Sequence, residues 1–314
     1  GSIDIVVNAA GIYRVGPFAE ITFADILRAM RSGVVGLLPG DPAQITAAHA
    51  AVIRDLGFTG ASVMLPDPDG VSNDVLAHAR QVLADSGVHV AQANARYPSL
   101  VHADPERRAE GIRLAQRACV GAHVLDADFL LIRPGSLNLT GDWRPHPGNH
   151  TAETEARLVA SLSAVCTVAS SEGVTIGLEC GSISPLDSPA RVRRVIDAVG
   201  SPALRYNCDP VNFASTFPLA YDTAALIADI FHHLSDYIVC AHVKDLRVSD
   251  GMPIKVEECA PSEGIFDFPA FFRAYEAIRP NGFALIEHLP DERIPAAKQA
   301  VDRIVHDMGL HWVV

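Results

Sequence analysis

Four side chains able to hold a divalent cation stand at or just past the ends of four successive apolar runs: Glu179, Asp209, His242 and Glu287. Taken singly, each has a plain structural reading. Glu179 can cap a helix, Asp209 precedes Pro210 in a turn, and His242 can be a core histidine. Taken together, three carboxylates and an imidazole on neighbouring strand ends would crowd at one rim and repel each other. A divalent ion relieves that repulsion, and an oxygen-rich set with one nitrogen suits Mn²⁺, Mg²⁺ or Co²⁺ better than structural zinc, with Mn²⁺ preferred.

The runs that would position these groups alternate with amphipathic stretches. Strands are predicted at Gly33–Leu38, Gly60–Leu65, His89–Ala93, Phe129–Ile132, Thr175–Glu179, Leu204–Cys208, Ile238–Val243 and Phe283–Glu287. They read as nearly continuous apolar runs, the pattern of parallel strands buried on both faces. Helices are predicted at Ala43–Leu56, Asn73–Ser86, Pro105–Gly121, Ala152–Glu172, Pro189–Val199, Thr223–Ser235, Pro269–Ile278 and Ile294–Met308, where apolar residues recur three and four apart. The alternation predicts a (β/α)8 TIM barrel over residues 30–314, although an open doubly wound sheet has the same local pattern. Residues 1–29 do not fit and are read as a short N-terminal appendage. Their segment Ile3–Thr22 resembles a fragment of short-chain dehydrogenases, without the glycine-rich turn or the Tyr and Lys pair of that chemistry.

The composition restricts the function classes. Of 314 residues, 49% are hydrophobic, enough for a large core, and 20% are charged, too few for a disordered chain. A net charge of −12 argues against binding nucleic acid, which needs clustered Lys and Arg. No apolar run approaches the roughly 20 residues of a membrane helix. The six cysteines are scattered without a CxxC pair, so a reduced, cytoplasmic protein is expected.

Leu178-Glu179-Cys180, Asn207 to Asn212, His242-Val243-Lys244-Asp245, Ser262 to Phe268 and Ala284 to His288 together resemble the xylose-isomerase-like barrels. These include sugar and sugar-phosphate isomerases, ketose 3-epimerases, hydroxypyruvate isomerases and inosose dehydratases. The resemblance implies that Glu179, Asp209, His242 and Glu287 hold one metal and that Glu179 and Glu287 move protons at a substrate carbon. It thereby implies an isomerase or epimerase of a ketose or keto-cyclitol, working through a metal-stabilised enediolate. The alternative is a lyase or dehydratase on a keto-sugar or 3-keto glycoside, including the C-glycoside deglycosidase type, with His146 as an additional acid or base.

Further substrate contacts are expected from Lys244, Asn212, Arg133, His146 and Trp143. Lys244 lies two residues past His242 and is read as a contact to substrate oxygen, the alternative being a salt bridge to a carboxylate such as Asp245. Arg133 has an ion pair as its equal alternative. His146 and Trp143 lie in the long polar loop 137–151, and loops of that length over a barrel mouth are often functional. No Ser/Gly/Arg phosphate clamp stands out, so the expected substrate is a non-phosphorylated sugar or polyol. Related barrels imply a homo-oligomer, with a small partner subunit as an option.

Overall fold

The computed structural model describes residues 29–313. Its strands are β1 (Ala29–Val34), β2 (Gly60–Leu65), β3 (His89–Ala95), β4 (Leu130–Ile132), β5 (Ile176–Leu178), β6 (Leu204–Cys208), β7 (Ile238–Val243), β8 (Asp245–Val248), β9 (Val256–Cys259), β10 (Phe283–Ile286) and β11 (His311–Trp312). Strands β1 to β7 pair in parallel in chain order, β10 pairs with β7, and β10 also pairs with β1. The sheet therefore closes into an eight-stranded parallel barrel with helices between the strands, a (β/α)8 TIM barrel. Strand β11 adds beside β1, and β8 and β9 form an antiparallel hairpin outside the barrel.

The helices start and stop where local chemistry dictates. Thr151 accepts the Thr154 N–H at the start of Ala152–Glu172, Glu153 and Glu155 occupy the first turn, and Gly173 ends the helix at φ 69°. Asp104 accepts the Glu106 N–H ahead of Pro105, which opens Pro105–Val124. Among the described residues, no helix is long and apolar enough to cross a membrane. All six cysteines are buried and unpaired.

Most elements keep their predicted bounds to within one to three residues, and two depart further. Strand β1 begins four residues before Gly33 and stops at Val34, because Gly36 (φ 140°) and Leu37 (φ 63°) turn the chain out of the ladder. The predicted helix Ala43–Leu56 is split into a 3-10 turn at Pro42–Gln44 and a helix at Ala47–Asp55. Thr46 and His49 close a capping box at that break, with Thr46 Oγ1 2.9 Å from His49 Nδ1. Of the expected appendage, residues 1–28 lie outside the described residues, and Ala29 is the first residue of β1.

Inside the barrel, large rings face missing side chains. Phe129 and Phe283 are buried in a cluster with Ala91, Leu131, Cys240 and Leu285. A Cβ on Gly60 would lie 2.4 Å from the Phe283 ring, and one on Gly177 would lie 2.4 Å from the Phe129 ring. The two phenyl rings thus occupy volume that any larger residue on β2 or β5 would claim. Gly177→Val is expected to lower stability by about 1–3 kcal/mol through overpacking. Gly40→Ala, where an added Cβ meets nothing within 4 Å, should change it by less than about 0.5 kcal/mol. Equal thermal denaturation midpoints for the two variants would show that this interior layer is not close-packed.

Candidate metal centre

Glu179 directly follows β5, Asp209 follows β6, His242 lies in β7, and Glu287 follows β10. Parallel register brings these four C-terminal strand ends to one rim, and one donor atom from each lies within 4.8 Å of the others. All four side chains are buried, at 4%, 0%, 1% and 4% exposure respectively.

The imidazole sits between carboxylates. His242 Nδ1 lies 2.9 Å from Glu179 Oε1 and 2.9 Å from Glu287 Oε2. Its Nε2 lies 2.8 Å from Gln92 Oε1, and Gln92 Nε2 donates to Ser62 Oγ at 3.1 Å. Because an amide oxygen only accepts, Gln92 fixes a proton on Nε2 and turns Nδ1 toward the carboxylates.

Charge dominates the site. Burial pulls the His242 pKa down, but Glu287 and Glu179 outweigh it and push it up to about 10. For Asp209, burial together with Glu287 and Glu179 exceeds the pull of Lys244, and its pKa rises to about 7. Burial also opposes ionisation of Glu287, yet His242 and Lys244 hold its carboxyl well below the usual range.

Lys244 Nζ lies 2.7 Å from Asp209 Oδ2 and 2.7 Å from Glu287 Oε1. Neither oxygen receives a well-directed hydrogen bond, so these contacts are charge against charge. Two buried carboxylate oxygens are thus met only by the Lys244 charge, beside an imidazole nitrogen and a third carboxylate. That donor set, hard oxygens with one nitrogen, fits a divalent cation bound by Glu179, Asp209, His242 and Glu287.

The remaining sequence-expected residues divide into two groups. Lys244 and Asn212 join the quartet: Nζ donates to Asn212 Oδ1 at 3.3 Å, and the Asn212 N–H reaches Asp209 Oδ1 at 3.4 Å. The alternative reading of Lys244 as a salt bridge to a carboxylate is realised with Asp209, Glu287 and Glu258 in place of Asp245. The Asp245 carboxylate instead accepts N–H groups from Leu246, Ser262, Gly264 and Phe266 at 2.7–3.0 Å, folding the chain beyond β9.

Arg133, His146 and Trp143 have no hydrogen bond or ion pair to the quartet among the described residues. Arg133 donates to Ala95 O at 2.7 Å and lies 5.8 Å from the Tyr97 ring centroid. His146 Nδ1 accepts the Gly148 N–H at 3.1 Å, capping the 3-10 turn Pro147–His150, and Trp143 is exposed. His150 pairs with Asp187 at 3.1 Å, while Thr151 does the capping.

Three contributors are not singled out by sequence reasoning: Gln92, His288 and the role of Glu258. Gln92 and Asn94, two apart on the apolar strand β3 and both buried, carry the readable signal. His288, at φ 57°, places Nδ1 3.1 Å from Glu258 Oε2 and 3.3 Å from Lys244 Nζ. Nothing in the spacing announces that turn. A cavity of about 360 Å³ opens at the opposite end of the barrel, between Asp128, Arg205 and Arg279. Barrel enzymes place their chemistry at the C-terminal strand ends, where the quartet is.

The family described as xylose isomerase-like TIM barrel matches residues 50–305. The chain belongs to that family. No curated protein matches it by sequence. Among solved structures, 3-keto-D-glucoside 4-epimerase from E. coli is 16% identical, with 88% of this chain and 99% of that one covered, at TM-score 0.65. D-allulose 3-epimerase from Methylomonas sp., solved with D-allulose, is 17% identical, covering 89% and 97%, at TM-score 0.65. A xylose isomerase-like barrel from Mycobacterium smegmatis, solved with magnesium, is 16% identical, covering 91% and 98%, at TM-score 0.68. At such identities the likeness shows the shared barrel.

For this family member, Gln92 offers a test of the centre that does not depend on any substrate. Gln92→Leu removes the acceptor that orients His242, and loss of such a partner weakens metal binding by about 10–100-fold. Isothermal titration with Mn²⁺ should read that loss. Unchanged affinity would mean that the Gln92 contact does not set the imidazole.

Proposed function

We propose that this chain is a divalent-metal-dependent isomerase or epimerase of a small, non-phosphorylated ketose or related polyol. The observation that carries the reading is the buried quartet, whose donor atoms lie within 4.8 Å of one another and whose oxygens Asp209 Oδ2 and Glu287 Oε1 receive no directed hydrogen bond. With three carboxylates ionised, His242 neutral and Lys244 charged, the cluster sums to −2, the charge a divalent cation neutralises. Sugar epimerases among the similar folds support the substrate class, and a magnesium-bound relative supports a divalent ion. The hard donor set is our reason for preferring Mn²⁺, with Mg²⁺ and Co²⁺ as further choices.

A metal held by Glu179, Asp209, His242 and Glu287 would act as a Lewis acid on substrate oxygens as a neighbouring C–H proton leaves. The protein supplies the proton carriers. Glu179, just past β5, and Glu287, just past β10, are buried carboxylates that both contact the His242 ring, and either can take a proton from carbon and return one. Burial excludes water that would compete for the proton. Gln92 holds the imidazole so that both carboxylates keep their positions.

Metal uptake must expel the proton that His242 holds below a pKa of about 10. The sign follows: lower pH favours the imidazolium, so Mn²⁺ affinity should rise from about pH 6 to about pH 9, with proton release on binding. Titrations in buffers of different ionisation enthalpy measure that release. Affinity that falls or stays flat over this range would contradict the assignment of His242 as a ligand.

The reaction itself is tested with ketohexoses and Mn²⁺ in deuterated water. Deuterium should enter the substrate at the carbon beside the carbonyl, and chelation should stop it. Glu179→Gln and Glu287→Gln should each lower exchange by at least ~10²-fold, the scale of a lost general base, with metal content measured in the same samples. Elimination products without exchanged substrate would replace this reading with a lyase, and normal exchange in Glu287→Gln would remove its proton-transfer role.

A further inference from the structure

Resting on the divalent-metal reading above, we infer that Lys244 is an internal counter-cation of the centre, holding the carboxylates together before metal arrives and opposing the ion afterwards. Its ammonium is directed at the ligands themselves. Nζ is 2.7 Å from Asp209 Oδ2 and 2.7 Å from Glu287 Oε1, the two oxygens that receive no directed hydrogen bond. Its other neighbours are Asn212 Oδ1 at 3.3 Å, His288 Nδ1 at 3.3 Å and Glu258 Oε2 at 3.6 Å. The side chain is 1% exposed, so its charge is spent on these neighbours and not on bulk solvent.

A cation so placed has two opposite effects. Without metal it offsets the mutual repulsion of Asp209, Glu287 and Glu179, buried groups whose other cationic neighbours are the His242 ring and, at 3.9 Å from Glu287, His288. With metal it is a second positive charge on the same oxygens, and like charges a few ångströms apart in a buried site repel strongly. Lys244 is therefore a positioning residue that keeps the centre assembled while empty and keeps the ion exchangeable. A lysine that merely packed would produce neither effect.

Lys244→Met retains most of the aliphatic stem and removes the charge. The expected result is a lower melting temperature without metal, a larger rise on adding Mn²⁺, and Mn²⁺ binding at least ~10-fold tighter than in the unaltered protein. Competition with a fluorescent chelator measures the affinity, with no substrate present. Equal or weaker Mn²⁺ binding by Lys244→Met, while the unaltered protein binds normally, would overturn the inference and leave the metal reading standing. Absence of Mn²⁺ binding by the unaltered protein would instead remove the metal reading and this inference with it. If Lys244→Met does not fold alone, refolding it and Lys244→Gln with Mn²⁺ decides the matter. Recovery of either supports a role that another cation can replace, and recovery of neither overturns it.

Discussion

Three carboxylates gathered beside one imidazole, with donor atoms within 4.8 Å of one another and almost no water, are the constraint around which this molecule is arranged. Burying one unpaired carboxylate is costly, and burying three side by side is tolerable only if cations share their field. The chain provides His242 and Lys244, each touching two members of the cluster, and His288 lies 3.9 Å from Glu287 as a third. The same residues that make the site expensive make it useful. Carboxylate oxygens without a directed hydrogen bond, held rigidly and out of water, are what a divalent ion and a transferred proton require.

That cluster exists only because the barrel closes. Glu179, Asp209 and Glu287 are far apart in sequence, and they meet because β5, β6, β7 and β10 are parallel neighbours with their ends in step. Closing the barrel in turn depends on matched volumes inside it, with Phe129 and Phe283 against glycines. Farther up, the filling changes from apolar to polar: Ser62, Gln92 and His242 form one hydrogen-bonded line across the interior. Strand geometry thus fixes the backbone of the site, and this line fixes its imidazole.

The sequence carried much of this because strand ends are local features. The predicted bounds of β2, β6 and β7 match the structure residue for residue, and Asp209, His242 and Glu287 stand in motifs whose order can be read directly. The end of β1 was hidden because Gly33–Leu38 is apolar throughout, and only the positive φ of Gly36 and Leu37 shows that the chain turns there. The hairpin β8–β9 is partly polar and has no clean apolar run, so the segment reads as a loop. Lys244 reads as a substrate contact in one dimension, since nothing in the sequence shows how closely Asp209 and Glu287 would approach it. Nor does spacing reveal that His288 turns back to meet Glu258.

The difference between what strands and loops encode explains why a family is easier to read than a substrate. The loop after β4 is shaped by Asn149, whose amide donates to Ser136 Oγ and Ile183 O and whose Oδ1 accepts the Leu137 N–H. The loop after β9 is shaped by Asp245, bound to backbone N–H groups on both sides of Glu263. In each, a buried polar side chain sets the backbone path, leaving neighbours such as Trp143, His146 and Glu258 to face outward or across the mouth. The types of those outward groups are not dictated by the strands beneath. The strand ends of the barrel therefore fix the buried quartet, whereas the groups around it belong to loops that the same barrel can carry in many forms.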